Sequence, residues 1–166
     1  MRTRIMTAGM LLGVLALAGC AMPGTGGGTG GSGSSGGRQQ VSCAESASVT
    51  LDGQRVRYEV TGDCAEVIVR GDDLEVRMAA ATALSVEGRD NDVESSSDLG
   101  AVTVKGNEND VEARTIASIT IAGNDNSLEA GTIGSVEITG DDNDVESDND
   151  PQPVRVSGNG NSVERR

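Results

Sequence analysis

Acidic and amide side chains recur behind a glycine at several points in this chain. The stretch "GNENDVEA", Gly106 to Ala113, places two Asn, two Glu and one Asp within eight residues. Side chains of these types could bind calcium, supply a pair of catalytic carboxylates, or form a tight turn. The elements that position the stretch decide between these three chemistries.

The stretch is one copy of a repeat. Glycines that precede similar segments are spaced by 18, 17, 18, 17, 17 and 18 residues. A short, fixed period predicts a solenoid or another repeat array. The seven turn glycines are Gly53, Gly71, Gly88, Gly106, Gly123, Gly140 and Gly158.

Apolar residues alternate within each copy. In one copy Val102 and Val104 precede the glycine and Val111 follows it, and a further apolar slot holds Ile116. Alternation of β-branched residues predicts strands with one buried face. We therefore predict an all-β, single-domain parallel β-solenoid of about seven rungs, each of 17–18 residues. Each rung should break at the glycine and again near "EARTIAS" or "EAGTIGS". A two-sheet sandwich is the alternative, although it predicts hairpin signals between strands.

An Asn stands three residues after the glycine in five successive copies. It shares a face with the buried Val or Leu two residues later, so we predict that it points inward and forms a ladder. Val56 and Leu74 fill this slot in the first two copies, so the ladder should begin at the third rung. The predicted ladder residues are Asn91, Asn109, Asn126, Asn143 and Asn161.

The remaining corner positions have separate expected roles. The glycine should supply a backbone angle that other residues resist. The two variable polar residues after it should form a solvent-facing tip. The Glu after each buried apolar residue should face outward, where stacked like charges cost stability. These residues are Glu94, Glu112, Glu129, Glu146 and Glu164.

Calcium binding is a competing interpretation of the corners. "GNDNSLEAG" loosely resembles the calcium-binding nonapeptide repeats of secreted toxins. The second half of each copy lacks the Gly and Asp that this pattern needs, and the EF-hand loop spacing is absent. Weak surface binding of calcium is the milder form of this alternative, at Asp141, Asp142, Asp148 and Asp150.

Polysaccharide binding or processing is a further alternative, because some polysaccharide-cleaving enzymes are β-helices. Their clefts usually carry aromatic or basic residues, whereas Tyr58 is the single aromatic residue of this chain. The regular rungs also leave no long insertion that could build a cleft. We predict no enzyme activity, no cofactor and no integral metal site.

The charge of the chain limits its partners. It has 13 basic and 26 acidic residues. Phosphate recognition needs clustered Lys and Arg, so the composition argues against nucleic acid. It also argues against adsorption to an anionic membrane surface.

The N-terminal segment predicts export and anchoring. Residues 1–19 combine Arg2 and Arg4 with an apolar run, as in an export signal. "LAGC", ending at Cys20, resembles the lipobox of bacterial lipoproteins, which implies a diacylglyceryl group on that Cys and frequent acylation of the new N-terminus. An ordinary secretory signal with a chance Cys is the alternative. Residues 20–40 form a Gly/Ser-rich flexible linker with an average reach of roughly 25 Å, and residues 41–166 form the repeat domain.

Two further cysteines, Cys43 and Cys64, lie in the exported part, where disulfides persist. A bridge would close a loop of about 20 residues and contribute roughly 3 kcal/mol. Two free buried thiols are the alternative. At the other end, Arg165 and Arg166 should discourage the addition of another strand.

The lipobox, the Gly-rich linker, the Cys pair and repeats of the form V-x-V-x-G-x-x-N-x-V resemble the domain of unknown function 3060 family of bacterial envelope lipoproteins. The resemblance extends from about Val41 to the C-terminus. It implies a β-solenoid on the cell membrane or outer membrane, facing outside the cytoplasm. Together with the lack of a cleft, this predicts a lipid-anchored, non-enzymatic protein that acts as a structural or protein-binding module of the cell envelope. The expected partners are the membrane, through the lipid on Cys20, and an envelope protein or cationic ligand that binds one acidic, flat face.

Overall fold

The computed structural model of the protein describes residues 37–44 and 47–166. The predicted signal peptide, the predicted lipidation site Cys20 and most of the predicted linker lie outside these residues. Within them the chain forms thirteen β-strands and no helix. Consequently the described residues contain no helix that is long and apolar enough to span a membrane. The strands are β1 (Arg38–Ser42), β2 (Ser48–Gln54), β3 (Arg57–Thr61), β4 (Cys64–Asp72), β5 (Glu75–Met78), β6 (Ala81–Arg89), β7 (Asp92–Ser95), β8 (Asp98–Asn107), β9 (Asp110–Ala122), β10 (Ser127–Thr139), β11 (Asp144–Ser147), β12 (Val154–Ser157) and β13 (Ser162–Arg165).

All thirteen strands belong to one sheet that coils around a central axis. Every strand pairing is parallel, and each residue pairs with the residue 17 to 19 positions away in the chain. We call each turn of the coil a rung and number the rungs one to seven by their turn glycines. We call a set of residues in register a column. The prediction of a parallel β-solenoid of about seven rungs is confirmed.

Aliphatic columns fill the interior of the coil. One column stacks Leu84, Val102, Ile119 and Val136, and each of these side chains is at most 2% exposed. Burying such a side chain contributes about 1.5–3 kcal/mol. A single rung cannot bury its own apolar face, so stability comes from contact between neighbouring rungs.

The second half of the rung differs from the prediction in two rungs, whereas in others the strands do break there, as between Met78 and Ala81. We expected strand breaks near "EARTIAS" and "EAGTIGS", whereas β9 and β10 run through both segments without interruption. The inward residues there are three positions apart, as at Ala113, Ile116 and Ile119. The chain therefore bends at these points. Strand pairing between β9 and β10 continues through the bend, as at Ile133 with Ile116.

The N-terminal end of the coil is closed by local contacts. Strand β1 begins at Arg38, inside the segment assigned to the linker, and pairs with β3. The Tyr58 hydroxyl crosses the first rung and donates to the Asp52 carbonyl at 2.6 Å. A disulfide joins Cys43 to Cys64, with 5.2 Å between their Cα atoms, which confirms the predicted bridge. Cys64 pairs with Ala81, in the column that continues through Leu99 to Ile116.

The C-terminal rung is the least covered. Val154 and Val156 are 38% and 47% exposed, although both continue inward columns. Arg165 stands opposite Ser147, also in an inward column. Its side chain is exposed and contacts Asp150 at 3.4 Å, and a charged side chain on an edge strand opposes pairing with a further strand. Arg166 reaches back over the previous rungs to the Glu129 carboxylate.

Candidate functional site

The predicted asparagine ladder is present and buried. Asn91, Asn109, Asn126 and Asn143 are each 1% exposed, and Asn161 is half-buried in the last rung. In the first four, Nδ2 donates to Oδ1 of the next ladder residue, at 2.9 Å from Asn126 to Asn143 and at 3.0 Å from Asn109 to Asn126. The slot before the ladder holds Leu74, and Val56 precedes it, as predicted; both are buried.

Each ladder amide also binds the backbone of its neighbours. Asn126 Oδ1 accepts from the Asn109 backbone N–H at 3.1 Å, and Asn126 Nδ2 donates to the Gly106 carbonyl at 3.0 Å. The side chain therefore makes four hydrogen bonds to three residues of the adjacent rungs. Among the described residues, no buried side-chain nitrogen or oxygen lacks a hydrogen-bond partner. The inner Asn column is thus a complete structural network.

The turn glycine and the ladder asparagine of one rung contact the same carbonyl oxygen of the preceding rung. The Gly106 carbonyl accepts from Asn126 Nδ2, and a Cβ added at Gly123 would overlap that oxygen. The other inner rungs repeat this arrangement, as at Gly88, whose carbonyl accepts from Asn109 Nδ2 at 3.2 Å. Close approach of two backbones is therefore the requirement that excludes a side chain at the turn glycine.

This corrects the expected role of the glycine. We expected all seven turn glycines to supply an unusual backbone angle. Gly53, Gly88, Gly140 and Gly158 have a positive φ, but Gly71, Gly106 and Gly123 do not. The left-handed residue in each corner is instead the second after the glycine, which is a non-glycine residue in six rungs. These residues are Arg55, Asp73, Asp90, Glu108, Asp125 and Asp142, with φ of 55–59°.

A second ladder, which the sequence analysis missed, runs along the exposed tips. Asn124 donates from its backbone N–H and from Nδ2 to Asn107 Oδ1, at 3.0 and 3.2 Å. Asp141 and Asn159 continue this outer column towards the C-terminus. The recurrence of Asn and Asp immediately after the glycine was the signal that could have identified it. The described residues contain no group of three or more Cys, Asp or Glu side chains that could hold a metal ion.

The outward columns that follow the corners carry a concentration of carboxylates, which we call the acidic face. Glu112 pairs in register with Glu94 on one side and with Glu129 on the other. Arg77 contacts Glu94 at 3.4 Å, and Arg166 contacts Glu129, but Glu112 has no ion-pair partner among the described residues. Seven side chains form this face: Asp92, Glu94, Asp110, Glu112, Glu129, Asp144 and Glu146.

The crowding of this face changes how its carboxyls titrate. Asp92 and Asp110 are exposed by surface area, yet neighbouring rungs remove part of the water around each carboxyl. This desolvation is the main cause that raises the pKa of both, and nearby carboxylates add to it. For Asp110 those carboxylates are Asp92 and Glu112. The acidic face therefore concentrates negative charge on one side of the solenoid.

Open hollows lie on the surface of the described residues. One of about 390 Å³ lies beside Met78 and is bordered by Glu59, Arg77 and Glu94. No aromatic side chain lines it. This hollow therefore lacks the aromatic platform that holds a sugar ring in many carbohydrate sites.

Of three comparisons with known proteins, the one with family models gave a match. A family model described as a protein of unknown function, DUF3060, matches residues 44–98 and 93–130. The two matches together span 44–130, which is more than half of the 166 residues. Neither the curated proteins nor the solved structures gave a match to this chain.

Proposed function

Since the chain belongs to the DUF3060 family of proteins of unknown function, we propose that it is a non-enzymatic, lipid-anchored β-solenoid that binds a cationic partner in the cell envelope. The acidic face is the binding surface. The observation that supports this most is the vertical run of Glu94, Glu112 and Glu129 in adjacent rungs, with the central carboxylate unpaired. Rungs are about 4.8 Å apart, so the run presents carboxylates at a regular spacing.

The chemistry of the partner follows from this spacing. A complementary surface would carry Arg or Lys side chains in a row, because opposite charges across an interface steer association and fix its register. Arg is the better match, since its guanidinium can bind a carboxylate with two hydrogen bonds. The regular rungs and their continuous hydrogen bonding make the surface rigid, which lowers the entropic cost of binding.

Membrane anchoring through Cys20 is the second part of the proposal. It rests on "LAGC" after an apolar run in the sequence, outside the described residues. Two or more acyl chains would give stable attachment where one chain would not. Cys20→Ser should abolish labelling by a fatty-acid analogue and move the protein out of the membrane fraction. Unchanged labelling of this variant would contradict the anchor.

Site-specific photo-crosslinking in intact cells tests the binding surface. A photoreactive residue at Ser127 lies within the acidic face, and one at Thr120 lies on the strand segment before the turn glycine. We expect a defined adduct from Ser127 and none of the same mass from Thr120. Replacing Glu112 and Glu129 by Gln should remove the adduct, whereas Glu137→Gln should leave it. The same adduct from both positions, or one that survives the Glu112 and Glu129 changes, would refute the acidic face as the binding surface.

A further inference from the structure

Arginines gather at the N-terminal end of this acidic molecule. Arg38, Arg55 and Arg57, together with Gly37, line a surface hollow of about 400 Å³. No carboxylate belongs to its lining. The hollow lies at the first rung, whereas the acidic face belongs to the third and later rungs.

Two of these arginines are stacked. Arg38 on β1 stands opposite Arg57 on β3 in the strand register. Adjacent strands lie about 4.8 Å apart, and like charges placed directly opposite destabilise a sheet. An anion bound between them would remove this repulsion.

Ion pairing within the protein neutralises only part of the cluster. Arg57 Nε contacts Glu75 Oε2 at 2.7 Å, and Arg77 Nη2 contacts the other oxygen of the same carboxylate at 3.5 Å. Arg38 and Arg55 form no ion pair with a described carboxylate. The uncompensated positive charge is therefore on the side of Arg38 and Arg55.

A second, smaller hollow adjoins the first. It has a volume of about 180 Å³ and shares Arg38 and Arg57 with the larger hollow. Its carboxylates are already occupied, because Glu75 binds two arginines and Glu59 accepts from Gln40 Nε2 at 3.4 Å. The guanidinium groups of Arg38 and Arg57 border both hollows, whereas Glu59 and Glu75 line the smaller hollow and not the larger one.

We propose that this hollow binds a phosphate group. A guanidinium donates two parallel hydrogen bonds to an oxyanion, and a tetrahedral phosphate can accept from several guanidinium groups at once. The net charge of the chain does not prevent this, because charges farther away than about 10 Å are largely screened at 0.1 M salt. The proposal departs from the expectation that the acidic composition excludes contact with anionic surfaces.

The phosphate could come from a phospholipid headgroup or from a free phosphate compound. Arg38 follows Cys20 by eighteen residues, so the hollow lies at the end of the solenoid that is nearest to the proposed anchor along the chain. The phospholipid source rests on the proposed anchoring, whereas phosphate binding by the hollow does not. An anionic headgroup held there would orient the rod relative to the membrane.

The test uses the full chain with Cys20→Ser, in neutral detergent micelles, so that acylation cannot contribute. Backbone amide shifts of Gly37, Arg38, Arg55 and Arg57 are followed by NMR. One titration adds inorganic phosphate at constant ionic strength against chloride, and the other adds phosphatidylglycerol against phosphatidylcholine. The test variant combines Arg38→Gln with Arg55→Gln. Arg155→Gln removes an exposed charge at the far end of the solenoid and is the control.

We expect saturable shifts at these amides and at least a tenfold loss of affinity in the double variant, with none in the control. Shifts with phosphatidylglycerol alone identify the headgroup as the source, shifts with inorganic phosphate alone identify free phosphate, and shifts with both support a general phosphate site. The proposal is overturned if neither probe shifts these amides, or if the double variant binds as the wild type does.

Discussion

Asn126 donates through Nδ2 to Asn143 Oδ1 at 2.9 Å, and both side chains are 1% exposed. The same Nδ2 binds the carbonyl of the turn glycine in the preceding rung, so one amide fastens three consecutive rungs. Asn126 belongs to a corner of the same kind as "GNENDVEA", whose Asn109 donates to Asn126. In these corners the inward amide is structural, and the exposed tip carries the variable charge.

Replacing a ladder residue should destabilise the fold more than replacing a tip residue of the same type. Asn126→Ala leaves four buried hydrogen bonds unmade, and we expect a loss of about 1–3 kcal/mol. Asn124→Ala removes two side-chain hydrogen bonds in the exposed outer ladder of the same corner, at a cost of about 0.5 kcal/mol. Urea unfolding of both variants measures the difference. Equal losses would contradict a structural role that depends on burial.

A methyl group at a turn glycine should be poorly tolerated. In Gly123→Ala the new Cβ would overlap the Gly106 carbonyl oxygen and displace it from Asn126 Nδ2. Overpacking of this kind costs about 1–3 kcal/mol, and we expect the upper end of that range. Gly131→Ala is the control, because its Cβ would meet the Arg114 carbonyl at 3.0 Å and a small shift relieves it. Thermal unfolding that ranked Gly131→Ala as the more damaging change would be inconsistent with the close approach.

Reduction of the disulfide should loosen the N-terminal end. Cys43 and Cys64 are 21 residues apart, and closing a loop of that length contributes about 3 kcal/mol. We expect the midpoint of chemical unfolding to fall when a reductant is added. The variant with both Cys43→Ser and Cys64→Ser should have the lower midpoint of unfolding already without reductant, and adding reductant should not change it. Complete alkylation of both wild-type thiols without reduction would show that the bridge does not form.

Stability should rise on mild acidification. The pKa values of Asp92 and Asp110 are raised in the folded protein, mainly by desolvation, so the folded state takes up protons more readily than the unfolded chain. Unfolding free energy therefore increases as the pH falls from neutrality towards the ordinary Asp value of 3.8. The pKa of Asp98 is lowered instead, first by its hydrogen bond with Arg114. The stability that Asp98 contributes is therefore lost as the pH falls through its lowered pKa.

Asp110→Asn isolates this effect. The variant should be more stable than the wild type at neutral pH, and the gain should shrink as the pH approaches 4. Asp98→Asn removes a carboxyl whose pKa is lowered by its hydrogen bond with Arg114, so this control should be less stable than the wild type at neutral pH, and the loss should shrink on acidification. A wild-type curve that falls steadily on acidification from neutrality would contradict the predicted sign.

A chelator should leave the melting temperature unchanged if the corners need no calcium. The inward Asn side chains are already fully hydrogen-bonded to protein groups, so the ladder leaves no amide oxygen for a cation. Differential scanning fluorimetry with added EDTA and with added calcium measures this. A large decrease with EDTA that calcium reverses would make the corners metal sites.

The repeat allowed much of this architecture to be predicted, because one periodic pattern determines the strands, the inward columns and the ladder. The position of Asn126 on the buried side follows from period two and from Leu128 after it. What escaped prediction depends on contacts between rungs. The sequence shows that Gly123 recurs, but the carbonyl that excludes a side chain there belongs to Gly106, seventeen residues earlier. The left-handed conformation of Asp125 was hidden because this position varies between rungs.

The carboxylates of the acidic face could be predicted from the sequence, but the arginines that pair with some of them could not. The outward Glu column follows from the repeat, whereas the contact of Arg166 with Glu129 spans 37 residues and depends on the last rung folding back. The hollow around Arg38 and Arg55 could not be predicted, because Arg38 falls within the predicted linker and the net charge of the whole chain hides a local group of arginines.

The turn glycine and the ladder asparagine of each inner rung contact the same carbonyl of the preceding rung. Because this contact is the same from rung to rung, single rungs can be added or removed. Deleting residues 107–123 would join Gly106 directly to Asn124 and keep the downstream residues in their original columns. The rod would shorten by one step of about 4.8 Å, with the acidic face one row shorter. Gain or loss of single units would thus change the reach and valency of the protein without requiring a new core.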